Sequence, residues 1–195
     1  MVEHYLRQHP LAHRGLAAAA AAAPGAAVRL RLESAFVQLC IRGDGGGAFR
    51  ESVASVLGVA PPQAANTVAS SGARRILWLG PDEWLAVCGG EEDAFTVVEE
   101  MESALDGKHA LVSDVSHSRV IFALEGERAR EVMLKGCSLD LDPVAFTAGQ
   151  CAQTTLARAH MLLHQVSETP CYHLYAHRSF ADYVFSWLSD AAQEY

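Results

Sequence analysis

The chain has 195 residues and a formal net charge of −8 at neutral pH, from 15 Lys and Arg against 23 Asp and Glu. Half of the residues are hydrophobic and 19% are charged, a composition far from that of disordered chains and sufficient for one sizeable core. The excess of negative charge argues against nucleic acid and anionic membrane surfaces as partners. We therefore expect a globular protein that binds neither.

The cysteines point to a reducing compartment. Five of them, at Cys40, Cys88, Cys137, Cys151 and Cys171, form an odd set without a C-x-x-C pair, which fits neither a disulfide framework nor a zinc knuckle. Reduced thiols in a cytoplasmic protein are the simplest interpretation. The alanine-rich run at 16–23 is too weakly hydrophobic for a signal peptide, and no stretch reaches the roughly 18 apolar residues of a membrane-spanning helix.

In chain order, residues 1–27 are predicted to form a flexible, alanine-rich arm, and residues 28–195 a single domain. Period-two runs of β-branched and aromatic residues predict strands at 28–33, 36–42, 76–79, 84–88, 110–115, 119–124, 152–158, 161–166 and 172–177. Apolar residues at helical spacing predict helices at 49–57, 94–105, 129–133 and 180–191. We expect Ser179 to cap the last helix, whose apolar stripe comprises Phe180, Tyr183, Val184, Trp187, Leu188 and Ala191.

The order of these elements predicts the fold. From residue 36 it runs strand, helix, strand, strand, helix, strand, which is the ferredoxin-like arrangement. A similar unit starts at residue 119 and lacks only a last strand, which residues 28–33 could supply. We therefore predict an α+β protein of two intertwined ferredoxin-like halves, with antiparallel sheets and helices packed on them. The segment at 61–72 is predicted to be an ordered loop.

A first candidate site is the string Asp114, Ser116 and His117, which contains the residue types of a nucleophilic triad. Side chains this close together at a strand end point in diverging directions, whereas a triad needs the base between the nucleophile and the acid. The sequence favours a polar turn whose side chains bond local backbone.

The densest group of metal-ligand types comprises His160, His164, Cys171, His173 and His177. On a strand, His160 and His164 would lie roughly 13 Å apart and could not share an ion. Coordination across neighbouring strands stays open as an alternative, but half-buried or surface histidines are the favoured interpretation.

A glycine-rich segment, GDGGG at 43–47, precedes a predicted helix. It has neither the G-x-G-x-x-G spacing nor the Gly-Lys-Ser/Thr ending of a phosphate-binding loop. We interpret it as a flexible strand-to-helix turn.

Longer strings are more specific than these motifs. They are LWLGPDEWL at 77–85, DVSHSR at 114–119, KGCSLDL at 135–141, GQCAQT at 149–154 and RSF at 178–180. Because these strings occur in the same order and spacing, the chain closely resembles the gamma subunits of heterotetrameric sarcosine oxidases from about residue 36 to the C-terminus. Only its alanine-rich start differs from that family.

The resemblance implies a complex of alpha, beta, gamma and delta subunits that demethylates sarcosine oxidatively. Glycine and hydrogen peroxide are formed, and the one-carbon unit passes to tetrahydrofolate. FAD, FMN and NAD are expected in the alpha and beta subunits, and no cofactor in this chain. The implied fold is similar to the folate-binding domain of glycine-cleavage aminomethyltransferases. The resemblance supplies no catalytic, cofactor-binding or metal-binding residue for this chain.

The leading hypothesis is therefore an accessory, non-catalytic subunit that packs directly against the alpha subunit and stabilises it. Phe185 lies about 140° around the last helix from Phe180, which widens the apolar face and makes Phe185 a candidate contact; a helix buried between two layers of its own domain is the open alternative. The segment with Leu139, Leu141, Val144 and Phe146 is the second candidate contact. The rival hypotheses are a stand-alone folate-dependent one-carbon transferase, with Asp114 as its candidate carboxylate, and a metal-binding regulatory protein.

Overall fold

A computed structural model describes residues 9–14, 27–33, 37–89 and 92–195 of the chain. Within them the strands are β1 (Arg29–Leu32), β2 (Val37–Arg42), β3 (Val68–Ser71), β4 (Arg74–Gly80), β5 (Glu83–Cys88), β6 (Leu111–Asp114), β7 (Arg119–Glu125), β8 (Cys151–Leu156), β9 (Ala159–Ser167) and β10 (Cys171–His177). The helices are α1 (Gly47–Leu57), α2 (Ala94–Ala104), α3 (Ala129–Leu134) and α4 (Ala181–Ala191), with short 3₁₀ helices at Ala12–Arg14 and Arg178–Phe180. None of the helices so described is long and apolar enough to span a membrane.

Two antiparallel sheets of five strands each carry the fold. The first sheet has the order β3-β4-β5-β2-β6 and the second the order β1-β7-β10-β9-β8. In the first half of the molecule, β2, α1, β4, β5, α2 and β6 follow the ferredoxin-like order, and β3 adds an edge strand. In the second half, β7, α3, β9, β10 and α4 repeat it, β8 adds an edge strand, and β1 supplies the missing last strand by pairing with β7. The predicted fold of two intertwined halves is confirmed.

The sheets face each other, and the helices cover their outer faces. Alternate residues of β5 separate the layers: Trp84 and Ala86 pack with α1 and α2, whereas Leu85 and Val87 pack against the second sheet. In the second sheet, Phe122 faces α3 and α4. Strands buried on both faces are near-continuous apolar runs, which explains why the β5 and β7 patterns were readily predicted from the sequence.

The sheets are joined at one edge by backbone hydrogen bonds between β3 and the start of β8. The Val68 amide donates to the Gly149 carbonyl at 2.8 Å, and the Cys151 amide donates to the Asn66 carbonyl at 2.9 Å. Strand β3 lies in the segment that was predicted to be a loop, so that prediction was wrong for Val68–Ser71. Its small and polar residues give no apolar alternation, and its pairing with β4 supplies the order instead.

Helix α4 differs from its prediction at its start and on its buried face. Ser179 is not the N-cap, because a 3₁₀ turn precedes the helix and Phe180 takes the N-cap position without a side-chain hydrogen bond. The buried face consists of Ala181, Val184 and Leu188. Tyr183 lies roughly 130° from the centre of that face at 100° per residue. Phe180 and Tyr183, which were assigned to the buried stripe, are exposed accordingly.

Part of the predicted N-terminal arm packs on the second half. Leu11 is 1% exposed and belongs to the core cluster that contains Val184 and Leu188. The Arg14 guanidinium donates to both carboxylate oxygens of Asp182, at 2.7 and 2.8 Å. The remaining residues of the arm, 1–8 and 15–26, lie outside the described part of the chain, and their flexibility stays a prediction.

Candidate functional site

The string that resembles a triad is a hydrogen-bonded turn between β6 and β7. The Ser116 amide donates to Asp114 Oδ1 at 2.9 Å, and the Ser116 hydroxyl donates to the same oxygen. Ser116 Oγ also accepts the Gln38 amide at 3.0 Å, while His117 is exposed. The serine hydroxyl is thus engaged by a carboxylate and by backbone, not by an imidazole, and the predicted polar turn is confirmed.

Two of the five predicted histidine and cysteine ligands meet between the sheets. His164 and His173 are paired across β9 and β10, are 4% and 7% exposed, and place their rings edge to face at 6.1 Å. His173 Nδ1 lies 2.7 Å from Nη1 of Arg75, which comes from the first sheet. Because arginine only donates, this contact places the His173 proton on Nε2.

Burial keeps both histidines neutral. Desolvation lowers the pKa of His164 to about 3, with His173 and Arg75 adding to the effect, and it lowers the pKa of His173 to about 4 with help from Arg75 and Arg31. No cluster of three or more His, Cys, Asp or Glu side chains suited to a metal ion occurs in the part of the chain that the structure describes. His160 and His177 are exposed, and Cys171 is half-buried.

The pKa values of Cys40, Cys88, Cys151 and Cys171 are raised, the opposite of the shift that makes cysteines reactive. Burial raises the pKa of Cys88 to about 12 and that of Cys151 to about 11. The pKa of Cys40 is raised by desolvation and by its contact with the Glu83 carboxylate, and desolvation also raises the pKa of Cys171. These thiols remain protonated at neutral pH and serve as small apolar side chains.

A cleft of about 530 Å³ opens between the sheets near the ends of β7, β9 and β10. Arg119, His160 and His177 line it, together with hydroxyl and aliphatic side chains. Asp114, the candidate carboxylate of a one-carbon transferase, is exposed, accepts two hydrogen bonds from Ser116, and is not among the residues that line this cleft.

The four predicted contact residues have different environments. Leu141 and Phe146 are 0% and 4% exposed and belong to the core of the second half, so their side chains hold the 135–150 segment onto its own domain. Leu139 is half-buried at the cleft. In the same segment Val144 is 93% exposed, and its amide is fixed by the Asp142 carboxylate at 2.9 Å.

Phe185, the fourth, is half-buried between the core and the N-terminal segment. Its ring stacks against Phe122 with centroids 6.5 Å apart, and the Arg14 guanidinium lies 5.6 Å from its centroid on the other side. Phe185 thus contacts its own domain through Phe122 and Arg14, and the remainder of its side chain is accessible.

Neither Arg119 nor Arg75 was identified from the sequence as a candidate functional residue. Both lie on strands and point between the sheets, Arg119 at the cleft and Arg75 at His173. The period-two alternation that puts Ile121 on the inner face of β7 places Arg119 there as well. A charge in phase with buried residues is the signal that could have identified Arg119.

Comparison with known proteins assigns the chain to a family. A sequence profile of the sarcosine oxidase gamma subunit family matches residues 42–194. The chain is 34% identical over 191 residues to sarcosine oxidase subunit gamma of an Arthrobacter species, covering 97% of this chain and 92% of that protein. It is 33% identical over 192 residues to the subunit gamma of Corynebacterium sp. strain U-96, with the same coverage.

Solved structures agree with this assignment. A chain of heterotetrameric sarcosine oxidase from Corynebacterium sp. U-96, solved in complex with pyrrole 2-carboxylate, superposes with a TM-score of 0.85 and 34% identity over 97% of this chain and 96% of that one. Aminomethyltransferase T of the glycine cleavage system from Bartonella henselae shares the fold, with a TM-score of 0.64 and 17% identity over 84% of this chain and 45% of that one. The chain belongs to the sarcosine oxidase gamma subunit family.

Proposed function

We propose that this chain is an accessory, non-catalytic subunit that packs directly against the alpha subunit of a heterotetrameric sarcosine oxidase and stabilises it. The observation that carries the proposal is the match, over nearly the full length of both chains, to a chain of a solved heterotetramer. The beta and delta subunits complete the proposed assembly, which we place in the cytoplasm.

The proposed assembly demethylates sarcosine oxidatively, yields glycine and hydrogen peroxide, and passes the one-carbon unit to tetrahydrofolate. We assign FAD, FMN and NAD to the alpha and beta subunits and none of them to this chain. The engagement of the strongest candidate groups in structural roles supports this assignment. Ser116 is held in a turn, and burial keeps His164 and His173 uncharged.

We further propose that the contact with the alpha subunit includes the exposed part of the 135–150 segment and the neighbourhood of Phe185. Val144 presents an almost fully exposed aliphatic side chain on a backbone that Asp142 and the buried Leu141 and Phe146 hold in place. An ordered apolar side chain at the surface loses little conformational entropy when a partner covers it. Phe185 would contribute through its half-exposed edge.

The test is to co-express the tagged chain with the other three subunits and measure what is recovered with it. We expect a stoichiometric flavoprotein much larger than this chain, and reduced yield or stability of that flavoprotein when this chain is omitted. Sarcosine-dependent peroxide formation by the chain alone would contradict the accessory role.

A pair of variants tests the contact surface separately. Val144→Glu places a charge that must be desolvated at the proposed contact and should lower recovery of the alpha subunit at unchanged thermal stability. Phe95→Glu is the control, since Phe95 is 68% exposed on α2 of the other half and should leave recovery unchanged. The reverse result would move the contact surface to the first half without affecting the accessory role.

A further inference from the structure

The cleft between the sheets has a polar end and an apolar wall. Its lining comprises Leu79, Arg119, Ser138, Leu139, Gln153, Thr154, Thr155, His160, Met161, Leu162, Tyr175 and His177. The volume of about 530 Å³ falls in the range of pockets that hold small molecules. The lining contains one permanent cation, two imidazoles, three hydroxyl side chains that are not tyrosine, and no carboxylate side chain.

The register of the second sheet brings the polar groups together. Arg119 is paired with His177 across β7 and β10, and Thr155 is paired with His160 across β8 and β9. Two residues further along β9 and β10, on the same face, Leu162 is paired with Tyr175. Both lie in the apolar layer between the sheets. The inner face thus changes from apolar to polar where β4 of the first sheet ends at Gly80.

Arg119 has hydrogen-bonding capacity left for a ligand. Its guanidinium has five N–H donors, and its side-chain hydrogen bond is a long one to Ser118 Oγ, at 3.4 Å. Within residues 9–14, 27–33, 37–89 and 92–195, no carboxylate lies within 4.0 Å of its nitrogens; the Glu83 carboxylate acts on it from a longer distance and does not occupy its donors. Desolvation lowers its pKa, yet a guanidinium keeps its charge at neutral pH. A half-buried cation in this setting gains from an anionic partner.

From this arrangement we infer that the cleft binds a small organic carboxylate, with its anionic end at Arg119 and its apolar body against Leu79, Leu139 and Leu162. A planar carboxylate matches the guanidinium fork in a bidentate geometry. The hydroxyl groups of Ser138 and Thr155, which are bonded to each other at 3.0 Å, are placed to bond polar substituents. This binding function is additional to the accessory role; Ser138 and Leu139 also belong to the 135–150 segment of the proposed alpha contact, and a test of probe displacement by the alpha subunit distinguishes the two uses.

The charge inside the cleft, and not the net charge of the chain, determines which class of ligand it suits. The net charge of −8 disfavours anions at long range, but a desolvated cation at short range outweighs a screened distant field. With one permanent cation in the lining, the cleft suits a single carboxylate better than a polyphosphate, which needs several cations or a glycine-rich cradle of amides.

The test uses 2-naphthoate as the probe and 2-naphthamide as its neutral counterpart of nearly the same shape. We expect titration calorimetry on the full chain to give one 2-naphthoate site per chain, with 2-naphthamide binding at least about tenfold more weakly. Equal affinity for the two probes, or binding of neither, would overturn the inference.

Variants locate the probe. Arg119→Gln should weaken 2-naphthoate about tenfold or more while changing the affinity for 2-naphthamide little, whereas Arg158→Gln, in the exposed turn between β8 and β9, should leave both unchanged. Gln153→Trp fills the cleft from an exposed position and should abolish binding of both probes. A folded Arg119→Gln variant with undiminished 2-naphthoate affinity would contradict the proposal. Displacement of the probe by the alpha subunit would also contradict it, because the cleft would then be a subunit contact.

Discussion

The two halves of the molecule use the same framework of strands and helices for different purposes. In the first half, α1 and α2 span Gly47–Leu57 and Ala94–Ala104, and the inner face of the sheet contributes Leu77, Leu85 and Val87 to the layer between the sheets. In the second half, α3 spans only Ala129–Leu134 and is followed by the 135–150 segment. Its inner face carries a buried histidine pair and the cleft.

This difference shows where a duplicated fold can acquire new roles. The first half is contiguous in sequence from β2 to β6 and has an apolar core. The second half needs β1 and the segment around Leu11, both distant in sequence, to complete its sheet and core. The 135–150 segment that follows its short helix α3 carries the exposed Val144, and Ser138 and Leu139 of the same segment line the cleft. The proposed contact surface and the cleft therefore both lie on the second half.

The largest predicted loss of stability concerns Trp84 in the core of the first half. Trp84 is 1% exposed, its ring lies 5.4 Å from that of Phe49, and its indole N–H donates to the Pro62 carbonyl at 2.9 Å. Trp84→Ala should reduce the free energy of unfolding by about 3 to 5 kcal/mol.

Trp187, on α4, is the tryptophan of the second half and is only half-buried, against Gly136. Trp187→Ala should therefore cost about 1 to 2 kcal/mol, less than a ring at the centre of a buried stripe would. Urea denaturation of both variants provides the comparison. Equal losses would mean that Trp187 contributes as much to its half as the buried Trp84 does to the first.

The second prediction concerns the histidine pair, for which the first half has no counterpart in the described residues. Histidines in the unfolded chain titrate near pH 6.5, whereas the folded pKa values are about 3 for His164 and about 4 for His173. Below pH 6.5 the unfolded chain therefore binds protons that the folded chain does not. Stability should be unaffected by the pair above pH 6.5 and should fall as the pH decreases towards 4.

Between pH 7 and pH 5 the pair should remove about 4 kcal/mol of stability, about 2 kcal/mol for each histidine, because one unit of pKa difference corresponds to about 1.4 kcal/mol. The measurement is the pH dependence of the unfolding free energy in the wild type and in the double variant His164→Leu, His173→Gln. The glutamine retains an acceptor for Arg75. Parallel curves for the two proteins would contradict the assigned pKa values.

A third, smaller effect tests whether the second half depends on the N-terminal segment. Leu11 is 1% exposed in the core with Val184 and Leu188, so Leu11→Ala should cost about 2 to 3 kcal/mol. Leu134→Ala is the control: Leu134 is 55% exposed at the end of α3 and should cost less than about 0.5 kcal/mol. If the two variants melt at the same temperature, residues 9–14 are not part of the cooperative core.

The sequence predicted the strands and helices well where burial on both sides makes the apolar pattern strong. Strand β7 was predicted from periodicity, and residues 28–33 were predicted as the strand that could complete its half; the structure shows that these two strands pair. Strand β3 was missed because its order comes from pairing with β4 and β8, not from its own small and polar residues. Local pattern carries no information about such pairing.

For the candidate site, the sequence identified residue types but not their surroundings. It identified His164 and His173, yet their neutrality comes from burial between the two sheets, to which Arg75 on the other sheet adds. It placed Phe180 in the buried stripe and left open whether Phe185 contacts a partner or its own domain, whereas the structure stacks Phe185 on Phe122 and leaves Phe180 41% exposed. For Phe180 the reason is the 3₁₀ turn at Arg178–Phe180, which ends before α4 begins at Ala181 and so places Phe180 outside the helix.

The smallest effect concerns the turn where the chain passes from the first half to the second. Ser116 Oγ accepts the amide of Gln38, a residue that is 2% exposed on β2. Ser116→Ala would leave that buried N–H without this acceptor, so we expect a loss of about 1 kcal/mol of unfolding free energy.

His117 is the control for this turn, since it is adjacent in sequence but exposed. His117→Ala should change stability by less than about 0.5 kcal/mol, and neither variant should alter sarcosine turnover by the assembled complex. The two readouts separate the possible roles of the turn. If the turn is structural, Ser116→Ala should lower stability and neither variant should lower activity. If Ser116 were a reactive serine, its loss would lower activity at unchanged stability.

Because the Gln38 side chain also donates to the Arg119 carbonyl at 3.2 Å, Ser116→Ala should also loosen the start of β7. Faster amide hydrogen exchange at Arg119 and Val120 in the Ser116→Ala variant would show that this turn holds the two halves in register.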